Sequence, residues 1–136
     1  MELKEAIEAG IWREKVSAVF YKELAKKVHG DLRLLLEYMS MEEVEHEKFL
    51  KRLYFELFQT NPQEIPSEGK IEIRDFEIKS IDELLDVGIS KERESKFFYM
   101  ELFCRLENMQ DRERILDLIN FEESHLQKLL KAKQEV

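Results

Sequence analysis

Glu43 and His46 stand three residues apart in "MSMEEVEHEKFLKRL" (39–53), and Glu122 and His125 repeat that spacing in "NFEESHLQKLL" (120–130). On a helix, residues three apart share a face, so each carboxylate and its imidazole point the same way. Apolar residues recur at helical steps around both pairs: Leu32, Leu35, Leu36, Met39, Leu50, Leu53 and Leu57 around the first, Ile115, Leu118, Ile119 and Leu129 around the second. Both pairs therefore face a core, where an unpaired charge costs several kcal/mol and normally neutralises.

Two further carboxylates share this position. Glu14 falls on a stripe of Leu3, Ile7, Gly10, Ser17, Tyr21, Leu24 and Val28, and Glu92 on the corresponding stripe 78 residues later. Four ionised carboxylates in a dry layer repel one another, and two neutral imidazoles cannot compensate them. Two divalent cations can. Three carboxylates and one nitrogen per metal form a mixed oxygen and nitrogen set, suited to iron or manganese more than to a structural zinc. In this reading Glu43 and Glu122 bridge two metals, Glu14 and Glu92 are terminal ligands, and His46 and His125 bind one metal each. Tyr21 and Tyr99, seven residues beyond Glu14 and Glu92, are candidates either for core packing or for hydrogen bonds to the ligands from behind.

The elements that position these groups are four amphipathic helices, expected at 3–29, 32–59, 81–107 and 111–133. "HGD" separates the first two: Gly30 suits a left-handed residue after a helix and Asp31 the cap of the next, with His29 at the helix end and outside any chemistry. Ser80 and Glu83 form a capping box before the third helix, and "ENMQD" is the second tight turn. Residues 60–79 hold both prolines and form a long crossover, with a short extended piece expected at "KIEI". Twenty extended residues reach roughly 65 Å, whereas a 27-residue helix is roughly 40 Å long, so the crossover can run the length of the bundle and leave helices 2 and 3 parallel.

The two halves match residue by residue. A shift of 78 pairs Ile7 with Leu85, Gly10 with Gly88, Glu14 with Glu92, Ser17 with Ser95, Phe20 with Phe98 and Tyr21 with Tyr99; a shift of 79 pairs Glu43 with Glu122, His46 with His125 and Leu50 with Leu129. Counted from the turns at Gly30 and Asn108, Glu14, Glu43 and His46 lie 16, 13 and 16 residues away, and Glu92, Glu122 and His125 lie 16, 14 and 17 away. All six side chains fall about 20 to 24 Å below their turns, in one layer. A bundle whose glutamates merely reach solvent would make the repeat, the facing and the level heights three coincidences.

Composition narrows the rest. A chain of 136 residues is one domain's worth, with no room for a second, and its "MELKEAIEAG" start lacks the apolar core of a signal peptide. No apolar run is long enough to span a membrane, so a cytoplasmic protein is expected. The net charge of −8 repels phosphate backbones and anionic lipid, which excludes nucleic acid as a partner. Cys104 is the single cysteine, so one chain carries neither a disulfide nor a four-thiolate metal module; it is expected, like Met39 and Met41, to be packing. Trp12 and nearby Phe residues off the inward stripe could serve the face of a homodimer.

This pattern resembles the ferritin-like di-iron carboxylate proteins, and within them the rubrerythrin-type domains, over nearly the whole chain. "EKVSAVFY" and "ERESKFFY" look like that family's helix 1 and 3 segments, and "EVEH" and "EESH", the latter within "EESHL", sit where its Glu-x-x-His motifs do. The resemblance implies an all-α four-helix bundle with two iron ions that reduces hydrogen peroxide or dioxygen using outside electrons; the alternatives are a ferroxidase or iron-handling protein and a non-catalytic metal-binding bundle. Two departures matter. Rubrerythrins usually append a rubredoxin domain with iron on four cysteines, so here electrons would come from a separate protein such as a rubredoxin. They also commonly carry a further Glu one turn beyond the helix 3 ligand, where this chain has Ser95.

Overall fold

The computed structural model describes residues 2–63 and 79–135. Within them the chain forms four helices: α1 (Leu3–Ala25), α2 (Gly30–Phe58), α3 (Ile81–Arg105) and α4 (Met109–Glu135). The expected extended piece at "KIEI" and most of the crossover lie outside the described residues.

Helix ends differ from expectation by up to four residues, for local reasons. After Ala25 the N–H groups of Lys26, Lys27 and Val28 bond three residues back, to Glu23, Leu24 and Ala25, so the last turn tightens and α1 stops early. Gly30 has φ 63°, the left-handed conformation its type suits. Gln59 takes the same conformation at φ 56° and closes α2, its N–H bonding the Phe55 carbonyl. Asn108 starts α4 two residues before the expected boundary, because its side-chain oxygen accepts the N–H groups of Gln110 and Asp111 at 2.9 and 3.1 Å.

The Ser80 cap is present: its Oγ accepts the Glu83 N–H at 3.1 Å. Ser80→Ala should therefore lower stability by about 1 kcal/mol in urea unfolding, without changing the site some three turns further along α3. Equal stability of the variant would show that the cap contributes nothing.

Helices α1 and α2 form one antiparallel hairpin and α3 and α4 the other. Across the hairpins, residue 21 meets 92 and residue 99 meets 14, which makes α1 antiparallel to α3. It follows that α2 and α3 are parallel, as the long crossover allows. Gly10 and Gly88 are the close-approach points between α1 and α3. A Cβ at Gly10 would stand 2.8 Å from the Phe98 ring, and one at Gly88 would stand 3.3 Å from both Leu129 and the Tyr21 ring.

Two apolar clusters fill the bundle. One holds Phe20, Leu24, Leu36, Met39, Leu85 and Leu129, the other Ile7, Leu50, Leu53, Leu102, Ile115 and Leu118. Between them lies a polar layer. The inward stripes hold with three corrections. Leu57, level with the first residues of α1, is 38 % exposed among the described residues, and Tyr54 is buried in its place. Met41 is 66 % exposed, and only Met39 packs in the core. Cys104 is exposed too, because the buried α3 positions around it are Tyr99, Leu102 and, just past the helix, Leu106.

Candidate metal centre

All six expected ligands are buried in the polar layer: Glu14, Glu43, Glu92, Glu122 and His125 at no more than 1 % exposure and His46 at 6 %. They come together as two overlapping groups, Glu14, Glu43, His46 and Glu122, and Glu43, Glu92, Glu122 and His125, within each of which the potential ligand atoms lie within 4.8 Å of one another. Glu43 and Glu122 belong to both groups, the position a bridging carboxylate needs.

The imidazoles enter the layer through the same atom. His46 Nδ1 lies 3.3 Å from Glu122 and 3.6 Å from Glu14 and Glu43. His125 Nδ1 lies 3.2 Å from Glu43 and 3.5 Å from Glu92. The rings stack 6.3 Å apart. Height and facing thus agree with the count from the turns.

Tyr21 and Tyr99 hydrogen-bond the ligands from behind, and they do so crosswise. Tyr21 on α1 donates its hydroxyl to Glu92 on α3 at 2.6 Å, while Tyr99 on α3 donates to Glu14 on α1. Each terminal carboxylate is therefore held by the opposite hairpin. Trp12, expected at a dimer face, is half-buried beside Ile11, Lys15 and Pro62.

The electrostatics match a site built for cations. Burial pushes the Glu43 and Glu122 carboxyls well above their usual range, Glu14 adding to the effect on the first and Glu92 to that on the second. Burial would raise Glu92 as well, but its close neighbours Glu122 and His125 and the hydrogen bond from Tyr21 outweigh it and hold Glu92 low. Burial would lower His125, yet Glu42 and Glu92 raise it to about 9. Both oxygens of Glu43 and of Glu122, one each of Glu14 and Glu92, Nδ1 of both histidines and Nε2 of His125 lack a hydrogen-bond partner. Orphaned buried acceptors on this scale are costly unless something positive satisfies them. Four carboxylates and two imidazole nitrogens, all aimed inward, fit a pair of divalent metal ions.

One neighbour was not anticipated. Glu42 Oε2 lies 3.3 Å from Nε2 of His125, the face turned away from the cluster. Burial acts to raise the Glu42 carboxyl, but His125 more than offsets it and keeps it below its ordinary value. In sequence Glu42 is one of 24 glutamates, beside the ligand Glu43 on α2, and nothing in the spacing tells that it reaches a histidine on α4.

Among the described residues, no helix is long and apolar enough to cross a membrane. No curated protein matches the chain. Solved structures do. A ferritin-like diiron-carboxylate protein from Thermotoga maritima is 23 % identical with a TM-score of 0.83, covering 99 % of this chain and 96 % of that one. A hypothetical protein from Pyrococcus furiosus is 22 % identical at a TM-score of 0.81, covering 98 % and 89 %. A ferritin-like, diiron-carboxylate protein from Bacillus anthracis is 20 % identical at 0.79, covering 97 % and 95 %. These likenesses establish the ferritin-like four-helix fold. The rubrerythrin family model matches residues 3–133, a span that includes all six candidate ligands and both tyrosines. The chain belongs to the rubrerythrin family.

Proposed function

We propose that this protein is a non-haem di-iron redox protein that reduces hydrogen peroxide, or dioxygen, with electrons from a separate donor. The observation that carries the reading is the pair of overlapping ligand groups sharing Glu43 and Glu122, whose four oxygens have no other partner. An iron pair supplies, when bound, two electrons at once, which is what reduction of a peroxide to water requires. The chain's part is to hold and enclose. Glu43 and Glu122 keep the two positions adjacent, Tyr21 and Tyr99 fix Glu92 and Glu14, and the apolar clusters above and below exclude bulk water. Manganese(II) would accept the same donors. A separate electron donor fits a chain with one cysteine, which cannot build its own four-thiolate iron site.

Anaerobic loading with iron(II), followed by one equivalent of hydrogen peroxide or dioxygen, tests this through the ferric absorption. Peroxide should oxidise the protein much faster than dioxygen, and added iron(II) should not turn over beyond two equivalents. Rapid dioxygen consumption with continued iron(II) turnover would instead make it a ferroxidase. No reaction with either oxidant would leave a non-catalytic metal-binding bundle.

A further inference from the structure

The internal repeat maps every ligand of one half onto a ligand of the other, yet it breaks beside them. The shift of 79 that pairs Glu43 with Glu122 and His46 with His125 pairs Glu42 with Phe121. In space each of these two residues sits against the histidine of the other hairpin: Glu42 Oε2 lies 3.3 Å from His125 Nε2, while the Phe121 ring centroid lies 5.5 Å from that of His46. One imidazole thus has a carboxylate neighbour and the other an aromatic ring.

We infer that Glu42 is a positioning residue that makes the two metal positions unequal, so that the position served by His125 fills first and holds its ion more tightly than the one served by His46. The inference rests on the two-metal reading of the cluster. Once a metal takes Nδ1, the remaining ring proton sits on Nε2, where the Glu42 carboxylate 3.3 Å away steadies it and makes Nδ1 a stronger donor. Glu42 also places a negative charge directly beside the His125 ring, where Phe121 places none beside that of His46. Phe121 offers no acceptor, so the His46 tautomer has no such support from it. The outer surroundings differ in the same sense. His46 is 6 % exposed against 1 % for His125, which places the His46 position nearer the surface.

Titration of the metal-free full chain with cobalt(II), a redox-stable probe, reads this directly by calorimetry and by paramagnetic shifts of the histidine ring protons. The first equivalent should shift the His125 ring before the His46 ring. Glu42→Gln should weaken the first binding step by about 10- to 100-fold, the usual effect of losing such a partner, and abolish the preference between rings. Phe121→Glu, a change at a half-exposed position, should strengthen binding at the His46 position. A partner of purely structural importance would not produce that gain. Equal shifts of both rings at one equivalent, or an unchanged first step in Glu42→Gln, overturn the inference while two bound ions leave the two-metal reading standing. Uptake of no ion would remove both.

Discussion

Glu43→Gln and Glu122→Gln are each expected to weaken binding of both metal ions by at least about 100-fold, more than the loss of an outer partner costs, and yet to make the metal-free protein more stable. Each of these carboxylates belongs to both ligand groups, so losing one removes an anionic donor from both positions. In the metal-free fold the same charge is a liability. Neither residue has any exposure, none of their oxygens is hydrogen-bonded, and each is pushed towards its protonated form by burial and by neighbouring glutamates. Gln keeps the volume and removes the charge, which should raise stability by about 1–2 kcal/mol. In a chain of this size that corresponds to a rise in Tm of roughly 3–10 °C. Glu94→Ala is the control: its side chain is 67 % exposed and pairs with Arg13 at 3.4 Å, outside the inner layer, so both metal content and Tm should stay near the parent. Equal metal loss in Glu94→Ala and Glu43→Gln would refute the assignment of the inner layer. A lower metal-free Tm in both Gln variants would refute the claim that the unfilled layer is strained by its charges.

The second large effect is a stability that depends on pH only while metal is absent. Glu43 and Glu122 are held above their ordinary value of 4.5, and His125 is raised from 6.5 to about 9. Each binds its proton more tightly folded than unfolded. Their stabilisation is therefore complete below the unfolded values and is lost as pH rises through the folded ones. Glu92, held below 4.5, has the opposite sign, but its change is confined to more acid solution. The Tm of metal-free protein should accordingly fall from about pH 5 to about pH 9. Divalent ions replace the protons as the positive partners, so loading should release protons and raise Tm most at the alkaline end. At a hundredfold excess over Kd each ion adds about 2.7 kcal/mol, which for two ions is on the order of 15 °C. Melting curves of metal-free and metal-loaded protein across that range check the prediction, with the double variant Glu43→Gln, Glu122→Gln separating the layer's contribution from that of the overall charge of −8. A metal-free Tm that rises with pH, or loading that leaves Tm unmoved, would sink it.

Periodicity and the internal repeat were enough to place the six candidate ligands in one layer. Once Glu14, Glu43, His46, Glu92, Glu122 and His125 fall on inward stripes at equal distances from two turns, the regular rise of a helix puts them at one height, and the structure has them there. The capping box at Ser80 was readable for the same reason, being a contact between residues three apart. Helix ends were less legible, because they turn on single hydrogen bonds such as those of Asn108 and the tightened turn after Ala25. Solvent exposure at the margins was also misread at Leu57, Met41 and Cys104, where a residue type suited to burial sits at a position exposed among the described residues.

What only the tertiary structure decided is how the two hairpins touch. Sequence spacing determines the face and height of a residue on its own helix, but not the rotation of one hairpin against the other. That rotation sends the Tyr21 hydroxyl to Glu92 and the Tyr99 hydroxyl to Glu14, where the linear pattern left packing and hydrogen bonding equally open. It also carries Glu42, off the inward stripe and unremarkable among its neighbours, to the outer nitrogen of His125, and leaves His46 against Phe121. The candidate ligand set is a property of helical periodicity and could be read from one chain of letters; the unequal surroundings of its two halves arise from contacts between helices and needed the fold.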